Sequence, residues 1–158
     1  MGKLIKNHWA RLIVLTAATY QLAAAIESYF WPKLFFDWLT KTLDVAVKPW
    51  PILQTINLGV ALISLAYEWP LPLLAGTAIH TSMEVRLFWL PLAATASLLL
   101  YQATNPAIYY LVATIVYFWA YSEGEVVCAE PWTLPKRRNG HESVKDRFES
   151  DGQAGRIV

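Results

Sequence analysis

Apolar residues in this chain come in blocks, and the blocks are longer than strands. From Pro49 to Tyr67, 19 residues pass without one Asp, Glu, Lys or Arg, and from Leu87 to Ser122 there are 36. An earlier block runs from Leu12 to Phe30, with Glu27 as its one charged residue. About 20 apolar residues in a helix reach across a hydrocarbon core about 30 Å thick, so runs of this length predict membrane-spanning helices.

Tryptophans size the first two. An indole, apolar with one polar N–H, settles at the boundary of lipid and water. Trp9 and Trp31 bracket the first block at about 33 Å of helix rise, and Trp50 and Trp69 the second at about 28 Å. The 36-residue run would make a helix of about 54 Å, so it must turn back. Asn105-Pro106 is the predicted break, because proline disfavours helical geometry in the residue before it. The pattern therefore predicts an all-α, four-span transmembrane helical bundle with spans near 10–31, 50–68, 85–103 and 106–122, the third kinked at Pro91.

The connections differ in character. Over 32–48, Leu34, Phe35, Trp38, Leu39, Leu43, Ala46 and Val47 share one helical face, and Asp37, Lys41, Asp44 and Lys48 the other. This predicts an interfacial amphipathic helix between spans 1 and 2, ended by Pro49; the alternative is a water-facing helix packed on its own bundle. Residues 70–83 are uncharged apart from the flanks but too short to span, and read as an irregular, partly inserted connection. Gly124 suits a helix C-cap. A transmembrane domain is thus expected over 1–132 and a polar, disordered tail over 133–158.

Composition agrees: 56% of the 158 residues are apolar and 16% charged, against about 25% charged in ordinary soluble domains. Lys3, Lys6, Arg11, Arg86, Lys136, Arg137 and Arg138 fall on one side of a four-span topology, and Lys33, Lys41 and Lys48 on the other, which places both termini in the cytosol. The expected setting is an endomembrane or the plasma membrane. The basic start followed by an apolar run and Ala23-x-Ala25 imitates a cleavable signal, but the run continues to Phe30 and reads as an uncleaved span. No basic stripe with interleaved aromatics points to nucleic acid. Cys128, the only cysteine, excludes an intrachain disulfide and a cysteine-based metal cluster, and its juxtamembrane place makes it a candidate for lipidation.

An ionisable or strongly polar group at membrane depth is a candidate for function. Here the candidates are Glu27, with Gln21 two turns earlier; Gln54 and Asn57; and His80, Glu84 and Arg86. His80 and Glu84, at i and i+4, would share a helical face, fit for proton transfer or metal binding or, structurally, for an interfacial contact with Arg86 as counter-ion. Glu27 reads either as a carboxylate reaching the interface or as a partner for a cation, or as a member of a proton-relay or sterol-contacting site. Gln21, Gln54 and Asn57 read as hydrogen-bonding glue between helices, with Gly59, Ala93 and Ser97 allowing close approach. No phosphate loop, nucleophile elbow or HExxH helix is present, no metal or cofactor is implied, and spans 1–2 do not repeat in 3–4 as in repeat-built transporters.

The stretches GKLIKNHWARL (2–12), WPKLFFDWLTKTLD (31–44), LQTINL (53–58), EWPL (68–71), LAGTAIH (74–80) and YFWAYSEGEVVCAEPWTLP (117–135) resemble a family of small fungal four-span integral membrane proteins of unknown function, over about residues 1–136. That resemblance implies a fold and a membrane setting but no activity. The sterol-isomerase fold of emopamil-binding-like proteins, also four spans, is an analogy of architecture only, since its acidic and histidine pattern does not align.

Three function classes are compatible with these residues. The first is a non-enzymatic accessory or scaffold subunit of a membrane complex, with membrane lipids and protein partners or further copies of itself as neighbours. The second is a lipid- or sterol-binding protein or small membrane enzyme using Glu27, His80 and Glu84 around a cavity. The third is a transporter or channel component.

Overall fold

The computed structural model describes residues 5–35, 41–48, 50–69, 71 and 74–128. Their regular structure is helical: α1 (Lys6–Phe30), α2 (Ile52–Glu68), the single turn α3 (Ala78–Thr81), α4 (Met83–Leu98) and α5 (Thr104–Ser122), with 3₁₀ turns at Thr42–Ala46 and Tyr101–Ala103. The tail at 133–158 lies outside the described residues.

α1 packs along both α2 and α5, and α4 along α5, while α2 and α4 meet only sparsely. The four long helices thus form a bundle with a cleft on its α2–α4 side. Lys6, Glu68, Met83 and Ser122 stand at one end, hereafter the termini end; Phe30, Ile52, Leu98 and Thr104 stand at the other.

Helix boundaries follow local chemistry. α2 begins after Pro51, whose carbonyl accepts from Thr55 N. Thr77 caps α3 by accepting from His80 N at 3.2 Å, and Ser82 caps α4 by accepting from Val85 N at 3.3 Å. α5 ends on a Schellman motif: Gly124 takes φ +68°, Gly124 N donates to Tyr121 O and Glu125 N to Ala120 O, both at 3.0 Å. The chain then returns across the termini end. Glu125 accepts from the backbone N–H groups of Lys6 (3.1 Å) and Asn7 (2.9 Å), capping a helix that has no side-chain cap of its own.

Two expectations are corrected. The segment 32–48 is not one amphipathic helix. Leu34 instead bridges Leu100, with Phe35 N donating to Leu99 O (3.2 Å) and Tyr101 N to Lys33 O (3.0 Å). An extended start satisfies the backbone of the α4–α5 turn, and Leu34 and Leu100 are both buried by it, a gain that outweighs the helical periodicity. Residues 36–40 lie outside the described residues. The reversal between the last two helices falls at Leu99–Ala103 rather than at Asn105-Pro106. Pro106 sits in the first turn of α5, where its missing N–H would have had no helical partner.

Among the described helices α1 is the one that is long and apolar enough to cross a membrane on length and composition; α2 is apolar but shorter.

Candidate functional site

Charge converges inside the termini end of the bundle. Glu68 is the last residue of α2, and its side chain turns inward with 1% of the residue exposed. Its Oε1 accepts from Arg86 Nε at 3.0 Å and from Tyr117 Oη at 2.9 Å; its Oε2 accepts from Arg11 Nε at 3.2 Å. Arg11 comes from the second turn of α1, Arg86 from the first turn of α4 and Tyr117 from the last turns of α5, so one carboxylate ties all four long helices together. Both arginines are buried with their partner.

His80 completes the cluster from α3. Its Nε2 lies 3.2 Å from Arg11 Nη2. A guanidinium only donates, so Nε2 accepts, which assigns the neutral ring's proton to Nδ1. Burial, then the charges of Arg86 and Arg11, lower the His80 pKa from 6.5, with Glu68 opposing more weakly. The imidazole is therefore neutral at physiological pH. Arg86 also donates from Nη1 to the carbonyls of His80 (2.6 Å) and Ser82 (3.0 Å), holding the α3–α4 corner shut. Tyr67 roofs the group: its ring centroid is 4.7 Å from Arg86 Cζ and 6.1 Å from the His80 ring, and its hydroxyl donates to Ile79 O at 2.6 Å.

A second polar layer lies deeper in the bundle. Gln21 Nε2 donates to Asn57 Oδ1 (2.9 Å), Tyr110 Oη donates to Gln21 Oε1 (2.8 Å), and Asn57 Nδ2 donates to the carbonyls of Leu53 and Ala96 at 3.0 Å each. Trp89 Nε1 donates to Ser64 Oγ at 2.9 Å nearby. Every hydrogen-bonding atom of Gln21 and Asn57 that crosses a helix boundary finds a partner on α1, α2, α4 or α5. These are the glue the sequence pattern anticipates.

The other candidates fall elsewhere. Gln54 is buried, with Nε2 donating to Val47 O at 3.4 Å. Glu27 is exposed on α1, 16 residues beyond Arg11 and so about 24 Å along the helix from the group that touches His80. Glu84 is exposed too and accepts from Ser82 Oγ at 2.7 Å. Ser82 is extended (φ −74°, ψ 124°), which separates α3 from α4 and takes His80 and Glu84 off a common face. The triad Glu27, His80 and Glu84 is therefore not assembled. Cys128 is half-buried just beyond the Schellman turn.

Arg11, Glu68, Tyr117 and Tyr110 are the site residues that sequence reasoning passed over. Glu68 left a signal: it is the carboxylate that ends the 19-residue uncharged run, beside Trp69. Chemically the cluster is a lock. Glu68 has three donors, two of them cationic. Among the described residues no three His, Cys, Asp or Glu side chains converge as a metal site would need.

Fold and cluster together define an all-helical bundle built around a buried carboxylate shared by two arginines. The chain belongs to the family known as a domain of unknown function, DUF7727, whose model matches residues 1–125. No curated protein and no solved structure matches it.

Proposed function

We propose that this chain is an integral membrane protein whose four long helices cross the bilayer with both termini on the cytosolic side, and that it works as a non-enzymatic accessory or scaffold subunit of a membrane complex. One observation carries the membrane part: the bundle is inside-out. Its interior is rich in small and polar residues, with Ala17, Ala18, Ala61, Ala93, Ala113 and Ala120 beside Gln21, Asn57, Ser64 and the Glu68 cluster, and holds a few larger side chains such as Leu90, Tyr110 and Tyr117. Its outer faces carry large apolar side chains, including Leu12, Ile26, Leu62, Ile63, Phe88, Leu92, Leu111, Ile115 and Phe118, each at least half exposed. Water would reverse that distribution. In lipid it is stable, because helices there associate through small residues and internal hydrogen bonds rather than through apolar burial.

The accessory reading rests on the chemistry of the cluster, which is suited to bracing helices and leaves no base free beside a nucleophile. The full chain, expressed in cells, should stay in the membrane pellet through an alkaline carbonate wash and be released by detergent; release by carbonate alone would refute membrane integration. Mild-detergent purification should then yield a stoichiometric partner or a homo-oligomer. A bare monomer would refute the accessory role while leaving integration standing.

A further inference from the structure

The sparse contact between α2 and α4 leaves an apolar groove of about 220 Å³ lined by Ile63, Tyr67, Ile79, Val85, Phe88 and Trp89. It has no polar lining, and Ile63, Ile79 and Phe88 are more than half exposed along it. Its inner wall is Tyr67, the ring that roofs the charged cluster, and two of its other residues, Ile79 and Val85, directly precede His80 and Arg86 in the chain. Behind that wall, Arg86 Nη2 and His80 Nδ1 have no hydrogen-bond partner among the described residues, although both side chains are 99% buried. Unpaired N–H donors are costly in a low-dielectric interior. The Tyr67 ring is a neighbour of both side chains, and two such donors, one carried by a guanidinium, suit phosphate oxygens. The depth fits as well: His80 stands in the connection and Arg86 in the first turn of α4, at the end of the bundle, where lipid phosphates lie if the helices span.

We infer that this groove and the two donors behind Tyr67 form one binding site for an anionic phospholipid, its acyl chain lying in the groove and its phosphate received by Arg86 Nη2 and His80 Nδ1 when the Tyr67 ring swings aside. The Tyr67 hydroxyl is held by one hydrogen bond, to Ile79 O, and its ring shields the guanidinium; a phosphate replaces that shield with charge-assisted bonds. The site rests on the membrane reading proposed above, but its test is separate from it.

The full chain purified in non-ionic detergent is melted with dioctanoyl phosphatidic acid, with dioctanoyl phosphatidylcholine and with inorganic phosphate. Phosphatidic acid should raise the midpoint by about 3 °C or more, and the other two should leave it in place. An equal shift from inorganic phosphate overturns the groove as part of the site, an equal shift from phosphatidylcholine overturns the demand for an anionic headgroup, and no shift from phosphatidic acid overturns the site itself. Arg86→Lys keeps a cation for Glu68 but removes Nη2 and should abolish the shift. Since that variant disturbs the lock, Val85→Trp, which fills the groove and leaves Arg11, Glu68 and Arg86 intact, is the second arm; a phosphatidic acid shift as large as in the unsubstituted chain overturns the proposal. Ile115→Trp, on the exposed face of α5, should respond like the unsubstituted chain. Carbonate extraction of the same variants reads membrane integration independently of lipid binding.

Discussion

Glu68 stands at the C-terminal end of α2, where backbone carbonyls already concentrate negative potential, and it is buried. A carboxylate is sustained there because Arg11, Arg86 and Tyr117 all donate to it. Glu68→Gln removes the charge from the centre of the group and leaves two buried guanidiniums without their shared anion. Removing one partner of a buried ion pair costs about 3–5 kcal/mol, so the variant should unfold at markedly lower denaturant in detergent titrations. Unchanged stability would mean that the arginines find other anions. His80 gives a second test. Its folded pKa is depressed, so the unfolded chain binds the proton more readily, and folding stability is full above about 6.5 and declines as pH falls from 6.5 through the folded value. His80→Gln, with nothing to titrate, should flatten that part of the pH–stability curve; a slope that survives the substitution assigns the linkage to another group. At this scale legibility followed apolar context. Gln21 and Asn57 stand out because each interrupts an apolar run, and both make the interhelical bonds expected of them. Arg11 and Glu68 sit where a run begins or ends, and there a charge looks like an ordinary flank until the helices are brought together.

α1 carries no strong signal at its own start, and a distant residue supplies what is missing. α1 has neither a side-chain cap nor an acidic residue in its first turn. Glu125 fills that role from the far side of the sequence, aimed by the left-handed Gly124 that ends α5. Lys6 Nζ pairs with Glu123 and stands over the ring of Trp119 on α5. Glu125→Ala should cost about 1 kcal/mol, in line with other lost N-caps, and should appear first as faster hydrogen exchange at the amides of residues 6–9. Uniform acceleration along α1 instead would mark Glu125 as a global rather than a capping contact. The four long helices were legible because their apolar blocks are long. The exceptions are instructive: the 3.6-residue pattern at 32–48 yields to a backbone pairing with the α4–α5 turn, which local periodicity does not encode, and Pro106 opens a helix where the sequence suggested it closed a turn.

At the scale of the whole molecule, the two polar layers sit at different depths, the charged one at the termini end and the Gln21–Asn57–Tyr110 layer further in. α2 and α4, with 17 and 16 residues, are about 25 Å long, against a hydrocarbon core of about 30 Å. Four crossings require the two ends of the bundle to face different compartments, a requirement that one native and one introduced thiol can read. Cys128, the only cysteine, lies at the termini end, and Val45, 68% exposed, lies in the α1–α2 connection at the other. In cells whose plasma membrane has been selectively opened, a membrane-impermeant maleimide should label Cys128 at once. In a Cys128→Ser background, cysteine placed by Val45→Cys should stay unlabelled until detergent dissolves the internal membranes. If both thiols label before detergent, the helices do not cross; if Val45→Cys labels and Cys128 is protected, the bundle crosses with its termini in the lumen, and the lysine and arginine asymmetry has been read with the wrong sign.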